Sequence, residues 1–250
     1  MMELQPHIRL SRAMTGARYA LLPGDPQRVE HVARFLDDVQ PLAYNREFRS
    51  LRGWYQGIEV LVLSTGIGGP SAAIAIEELH RIGVTTLIRI GSCGALQAPM
   101  QLGDLVIATG AVRDEGTSQI YVPSGYPACA DTGLVHCLQT QAQRLQFPTH
   151  SGYVRSHDSF YTDHEAELTA KWAAFGILAA DMETAPLMVI GALRGMRTAS
   201  VLNVVVTSSG ELEQGINAYQ EADSCGHKGE AREIELALAA IYQDYNKENV

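Results

Sequence analysis

The chain has 250 residues, 46% of them hydrophobic, which is enough to bury the core of one large α/β domain. Its formal net charge of −9 disfavours a general nucleic-acid-binding role, because proteins that neutralise a phosphate backbone are usually basic. The four cysteines are widely spaced and form no CxxC pair, so we expect free thiols rather than a zinc site or a disulfide framework.

The first fourteen residues contain no apolar run of the length that a signal peptide or a membrane span requires. We therefore expect a cytoplasmic protein that does not contact a membrane. Since no linker-like segment divides the sequence, residues 1–250 are predicted to form a single domain.

Short apolar runs punctuated by glycine predict buried strands along the chain. They are Tyr19–Leu22, Val60–Ser64, Thr86–Ile90, Leu105–Gly110, Ile177–Ala180 and Ala199–Val206. Apolar residues at helical spacing predict helices between and after them, at Pro70–Ile82, Ala185–Leu193 and Glu230–Tyr245. This alternation predicts an α/β fold with a central mixed β-sheet flanked by helices, and in such folds ligands bind where strands end.

The segment after the first predicted strand combines a tight turn with the start of a helix. Gly24 lets the backbone approach a ligand, and Pro26 sets a helix whose N-terminal amides favour an anion. Arg28 lies one helical turn further on and could reach the same anion. The residues suit a plain strand-to-helix turn with a surface arginine equally well.

Arg89 interrupts an otherwise apolar strand, where a charge is costly unless it is paired or bound. Gly91 and Gly94 leave room for backbone donors and Ser92 adds a hydroxyl, while the guanidinium fork suits phosphate oxygens. A buried structural ion pair is the alternative.

Two acids flank a methionine at the end of a later apolar run. In a strand, Asp181 and Glu183 would point to the same side and could accept the vicinal hydroxyls of a ribose, with Met182 packing on the sugar. The same residues also suit a helix N-terminus, with Asp181 or Thr184 as the capping residue.

Seven motifs occur in one order between about residues 7 and 206. They are PGDPQRVE, YNREF, STGIGGPS, RIGSCGAL, GDLVIATGAVRDEGTS, DSFY and DMETA. Together they resemble the family of bacterial nucleoside phosphorylases that includes uridine phosphorylase and the hexameric purine nucleoside phosphorylases. An ordered set of this length is far more specific than any single motif in it.

The resemblance implies a site for inorganic phosphate, which is a co-substrate in this family. Gly24, Arg28, Arg89 and Ser92 match its phosphate-binding residues, and Arg46 matches an arginine that a neighbouring subunit contributes. The working unit is accordingly expected to be a homo-oligomer with shared active sites, and the family suggests a hexamer built as a trimer of dimers.

The resemblance also implies how the nucleoside is bound. Met182 and Glu183 match the ribose-binding pair, and His7 matches a histidine that crosses from the neighbour to the ribose 5′-hydroxyl. Phe160 matches an aromatic residue near the sugar or base, and His164 aligns with a base-reading position. Arg89 and Glu183 are thus the expected catalytic residues.

A monovalent cation, potassium, is held at a dimer interface in uridine phosphorylases. Glu47, Ile67 and Ser71 match the positions that hold it. No other cofactor is implied.

The base-binding half departs from both branches of the family. His164 and Ala166 stand where uridine phosphorylases carry the glutamine and arginine that read uracil. The aspartate that purine enzymes use after the strand matching Val201–Val206 is missing, and the next acid is Glu211.

The sequence therefore predicts phosphate-dependent cleavage of a nucleoside to free base and ribose 1-phosphate, most like uridine phosphorylase. A purine nucleoside phosphorylase for inosine or guanosine is the alternative. A nucleosidase that uses water, and a nucleoside-binding protein with weak catalysis, are further readings.

Overall fold

A computed structural model describes residues 4–210, 215, 217 and 225–248 of the chain. Glu211, the first acid after the last predicted strand, lies outside these residues.

The described residues form ten strands and seven helices that alternate along much of the chain. The strands are β1 (Tyr19–Pro23), β2 (Asp37–Asn45), β3 (Phe48–Tyr55), β4 (Ile58–Leu63), β5 (Thr86–Ala95), β6 (Leu105–Asp114), β7 (Ala128–Cys129), β8 (Thr149–His157), β9 (Ala179–Asp181) and β10 (Arg197–Val206). The helices are α1 (Pro26–Ala33), α2 (Gly69–Ile82), α3 (Thr117–Tyr121), α4 (Thr132–Leu145), α5 (Glu165–Ala174), α6 (Thr184–Leu193) and α7 (Cys225–Glu248).

All ten strands belong to one mixed sheet, in the order β10–β6–β8–β9–β5–β1–β4–β3–β2, with β7 paired to β6. Because β10 also pairs with β5, the first five strands of this order close into a small barrel from which β1, β4, β3 and β2 extend. The predicted mixed sheet is confirmed. Its closure depends on pairings between distant segments, which no local pattern encodes.

Each of the six predicted strands and three predicted helices is present. Helix α2 begins with Pro70 in its first turn and ends at Gly83, whose φ of +101° is the left-handed conformation that glycine adopts most readily. Strands β2, β3, β7 and β8 were not predicted, and β2 has no apolar run because all of its residues are exposed or half-buried.

Helices cover both faces of the sheet, as predicted. Val29 of α1, Leu134 of α4 and Ile241 of α7 pack in one apolar cluster, and Ile76 of α2 packs with Leu187 of α6 in another. The four cysteines are free thiols, also as predicted. That residues 1–250 form one domain stays a prediction.

Within the described ranges, no helix combines the length and the apolar character needed to cross a membrane.

Candidate active site

The carboxyl ends of the parallel strands β1 and β4 lie at one edge of the sheet beside β5, and β9 runs antiparallel to the last residues of β5. Leu22 of β1 pairs with Arg89 of β5, and Gly94 of β5 pairs with Ala180 of β9. The turns that follow β1 and β4 are joined directly, because the Gly66 amide donates to the Gly24 carbonyl at 2.9 Å. The first, third, fourth and seventh sequence motifs, PGDPQRVE, STGIGGPS, RIGSCGAL and DMETA, are therefore neighbours in space.

Arg89 lies at the centre of this edge and is 5% exposed. Its Nε donates to Asp181 Oδ2 at 3.0 Å, and its Nη2 lies 2.6 Å from Glu183 Oε2. Burial opposes its charge, but the carboxylates of Glu183 and Asp181 outweigh burial and raise the Arg89 pKa. A Cβ on Gly91 would lie 2.5 Å from Nη2, so this glycine makes room for the guanidinium.

The third guanidinium nitrogen of Arg89 is different. Nη1 is buried and has no hydrogen-bond partner among the residues that the structure describes. A buried charged donor of this kind is costly unless something accepts its hydrogen bonds. Arg89 therefore forms buried ion pairs, as the alternative interpretation of the sequence predicts. Its Nη1 remains available as a donor to a ligand.

Asp181 and Glu183 have separate roles. Asp181 accepts the Thr184 amide at 3.0 Å and the Ser156 hydroxyl at 2.6 Å, so it caps the first turn of α6 while it orients Arg89. Glu183 forms no capping bond and instead accepts the Gly68 amide at 2.5 Å. Burial raises the pKa of Glu183 against the attraction of Arg89. The N-cap interpretation holds for Asp181 and leaves Glu183 available to a ligand.

Arg28 lies in the first turn of α1, which Asp25 caps at 2.8 Å through the Gln27 amide. It is buried rather than on the surface. Its Nε donates to Glu230 Oε2 at 3.1 Å and its Nη1 lies 3.4 Å from Glu233 Oε1, both on α7. Its positive charge lowers the Arg89 pKa, so the two guanidinium groups are neighbours.

His7, Arg46, Glu47 and Ser71 form a second group beside the β2–β3 turn. Ser71 Oγ donates to Glu47 Oε1 at 2.7 Å, and this bond, helped by the charges of Arg46 and His7, lowers the Glu47 pKa. His7 is held by Glu78 of α2, at 2.6 Å from its Nδ1.

Arg46 is exposed, with a φ of +56°, and the side chain of Ile67 is exposed as well. Within the described residues neither His7 nor Arg46 bonds to Arg89 or Glu183. Ser92 and Met182 are half-buried at the main edge of the site.

The region predicted to read the base is more open. Phe160 is half-buried, and its ring meets that of Tyr161 edge-on at 5.0 Å. His164 precedes α5 with its side chain 72% exposed, and its Nδ1 lies 3.5 Å from Glu167. The expected roles of Phe160 and His164 stay predictions.

Sequence reasoning missed Glu230 and Glu233. The pattern of α7 nevertheless contained a signal for them. Positions 230, 233, 237, 241 and 244 recur at helical spacing, and all five are buried. Three of these positions are acids, Glu230, Glu233 and Asp244. Acids on the buried stripe of an amphipathic helix require partners, and Arg28 is the partner here.

The model of the phosphorylase superfamily matches residues 18–241. A guanosine phosphorylase of Halorubrum lacusprofundi is 36% identical over 240 residues, which is 96% of this chain and 99% of that protein. A uridine phosphorylase of Treponema pallidum is 40% identical over 228 residues, 87% of this chain and 88% of that protein.

A crystal structure of uridine phosphorylase from Vibrio fischeri ES114 superposes with a TM-score of 0.90. The two chains are 42% identical, and the match covers 97% of this chain and 98% of the other. The resemblance drawn from the seven motifs is thus confirmed, and the chain belongs to the nucleoside phosphorylase family of the phosphorylase superfamily.

Proposed function

We propose that the protein cleaves a nucleoside with inorganic phosphate, releasing the free base and ribose 1-phosphate, with uridine as its substrate. The observation that carries this proposal is the buried Arg89 Nη1, a donor without a described partner beside Arg28 and Glu183. A phosphate dianion bound there would accept a hydrogen bond from this donor. The Glu183 carboxylate could accept hydrogen bonds from the vicinal hydroxyls of a ribose.

In the proposed reaction, phosphate attacks the anomeric carbon as the bond to the base breaks. The sugar passes through an oxocarbenium-like state, which the negative phosphate stabilises before it forms the new C–O bond. Arg28 and Arg89 orient the phosphate, with Gly24 and Ser92 beside it. Glu183 and Met182 hold the ribose, and the departing base takes up a proton, which balances the proton that hydrogen phosphate loses when its oxygen bonds to the anomeric carbon.

We further propose that the site is completed by a second copy of the chain. Arg46 and His7 lie in the second group and make no bond to Arg89 or Glu183, which suits residues that serve the site of a neighbour. The assembly would be a homo-oligomer, a hexamer by the resemblance, acting in the cytoplasm.

The cation proposal fits the chemistry of its residues. Glu47 has a lowered pKa, and Ser71 supplies a hydroxyl oxygen 2.7 Å from its carboxylate. Oxygen donors of this kind suit a hard cation such as potassium, with Ile67 contributing through its backbone carbonyl. One copy supplies a single carboxylate, so the same residues of a second copy would complete the shell.

Phe160 and His164 are proposed to contact the base.

A purine substrate is the second candidate, and the near-complete match to a guanosine phosphorylase favours it. The missing uracil-reading glutamine and arginine point the same way.

The test is to incubate the protein with uridine, thymidine, inosine, guanosine and adenosine, with and without phosphate, and to measure free base. We expect phosphate-dependent release, fastest from uridine. Release that does not need phosphate would identify a nucleosidase, and release from none would identify a binding protein. Cleavage of guanosine or inosine without uridine would replace the pyrimidine proposal with the purine one.

A further inference from the structure

We propose that Glu233 is a positioning residue that holds a proton while phosphate is bound, and that its carboxylate competes with phosphate for Arg28 when that proton is lost. The inference rests on the proposed function and adds a pH control to the phosphate site. Glu233 touches no reacting atom and acts through Arg28.

The geometry places Glu233 behind the phosphate-binding arginines. Its Oε1 lies 3.4 Å from Arg28 Nη1, and the same Nη1 lies 3.3 Å from the Ile90 carbonyl. Glu230, one turn earlier on α7, accepts Arg28 Nε at 3.1 Å. Arg28 is therefore held from one side by two acids of a single helix.

Close packing of α7 fixes these acids. A Cβ on Gly229 would fall on the side-chain oxygen of Asn203 in β10, and the Asn203 amide donates to the Gly226 carbonyl at 2.8 Å. The helix consequently packs closely against the barrel, and Glu233 is 0% exposed.

Glu233 differs from Glu230 in how its charge is met. Glu230 binds both Arg28 and His31, whose Nδ1 lies 2.5 Å away. Neither oxygen of Glu233 has a hydrogen bond of ordinary geometry to a described residue, and the Gly91 amide gives its carboxylate only weak support. A buried carboxylate with so little support resists ionisation.

The charges around Glu233 come from every element packed on it. Arg28 of α1 and Arg89 of β5 attract its ionised form, whereas Glu230 of its own helix repels that form. The Cys93 thiol of β5 is nearby and stays neutral, since burial raises its pKa well above the ordinary value. Burial prevails for Glu233 and raises its pKa to about 8.

The balance of charge gives this proton a function. Among the described residues, Arg28 and Arg89 face the carboxylates of Asp181, Glu183, Glu230 and Glu233, and His31 also pairs with Glu230. Adding a phosphate dianion to that set would bury uncompensated negative charge. A proton on Glu233 removes one negative charge and weakens the attraction of Glu233 for Arg28, so that Glu233 no longer competes with the phosphate.

The experiment compares the wild-type enzyme with Glu233→Gln, which keeps the shape of the protonated acid. The KM for phosphate is measured from about pH 8 to about pH 9.5, where inorganic phosphate is mostly a dianion. For wild type we expect this KM to rise toward tenfold per pH unit, while kcat changes little. For Glu233→Gln we expect the KM to stay flat across the range. Glu235→Gln, on the same helix outside the site, is the control and should follow wild type.

Calorimetry on the wild-type enzyme supplies a readout that does not depend on a variant. Phosphate is titrated in at about pH 9 in buffers of different ionisation enthalpy, and we expect proton uptake on binding, absent in Glu233→Gln. No uptake by wild type, or a KM profile that Glu233→Gln leaves unchanged, overturns the inference. Absence of phosphate-dependent base release from wild type would instead refute the proposed function.

Discussion

The phosphate and ribose side of the site differs from the base side in how its residues are held. Arg89 and Glu183 are 5% and 6% exposed and are bonded to each other and to backbone or side-chain partners. His164 lies on a loop, largely exposed, with Glu167 3.5 Å away. Strands β1, β5 and β9 of one chain fix the first region, whereas the second is a surface segment before α5. Because the phosphate and ribose side is firmly held and the base side is open, the base that the site accepts can change while the sugar and phosphate chemistry stays the same.

The largest effect is expected on the phosphate and ribose side, from Arg89→Lys. Lysine keeps the positive charge but loses the planar fork that serves Asp181, Glu183 and phosphate together. We expect phosphate-dependent kcat/KM to fall about 10²- to 10³-fold. Lysine is preferred to alanine because an uncompensated buried acid pair would cost about 3–5 kcal/mol of folding free energy.

The matched control is Arg194→Lys, since Arg194 also pairs with an acid, Glu77, at 2.7 Å but lies between α6 and α2. Thermal unfolding should show both variants folded. Near-normal activity of Arg89→Lys would mean that Arg89 is structural.

Glu183→Gln tests the ribose contact in the same region. The amide oxygen can still accept the Gly68 amide, but the charge that strengthens bonds to the ribose hydroxyls is lost. We expect kcat/KM for uridine to fall about 10- to 100-fold, since bonds to charged groups contribute roughly 1.5–3 kcal/mol.

The fall for 2′-deoxyuridine should be smaller, because it has one hydroxyl fewer to lose. Glu235→Gln, on α7 outside the site, serves as control. Equal losses for the two nucleosides would show that Glu183 does not bind the vicinal hydroxyls.

The same contrast explains what could be predicted from the sequence. Six of the strands were predictable, because apolar runs and the glycine and arginine residues that follow several of them are local signals, whereas strand β3 was missed although half of its residues are buried. The pairing of Arg28 with Glu230 and Glu233 was not, because about 200 residues separate the partners. Asp181 looked like one of two similar acids, and only the hydrogen bonds from Thr184 and Ser156 separate its role from that of Glu183.

The buried acid Glu233 should also make the free energy of unfolding depend on pH. Its folded-state pKa of about 8 lies above the unfolded value of 4.5, so the folded protein holds a proton that unfolding releases. This contribution is complete below about pH 4.5 and is lost as the pH rises through 8. Relative to Glu233→Gln, the free energy of unfolding of wild type should decline by up to about 1.4 kcal/mol per pH unit in that window.

Denaturant unfolding of both proteins between about pH 5 and pH 9 measures this difference directly. Parallel curves would show that Glu233 is ionised throughout and that its burial is balanced by Arg28.

The smallest effect is expected on the base side of the site, from His164→Ala. Its side chain is 72% exposed and its described partner is the equally exposed Glu167, so the interaction is worth about 0.2–1 kcal/mol at most. We expect less than about a fivefold change in KM, and a different change for uridine than for guanosine, because only a contact with the base would discriminate between them. His136→Ala, an exposed histidine on α4, is the control. A loss beyond about a hundredfold would mean that the loop closes over the base and is as rigid in the working complex as the phosphate side, because an exposed contact cannot supply that much free energy.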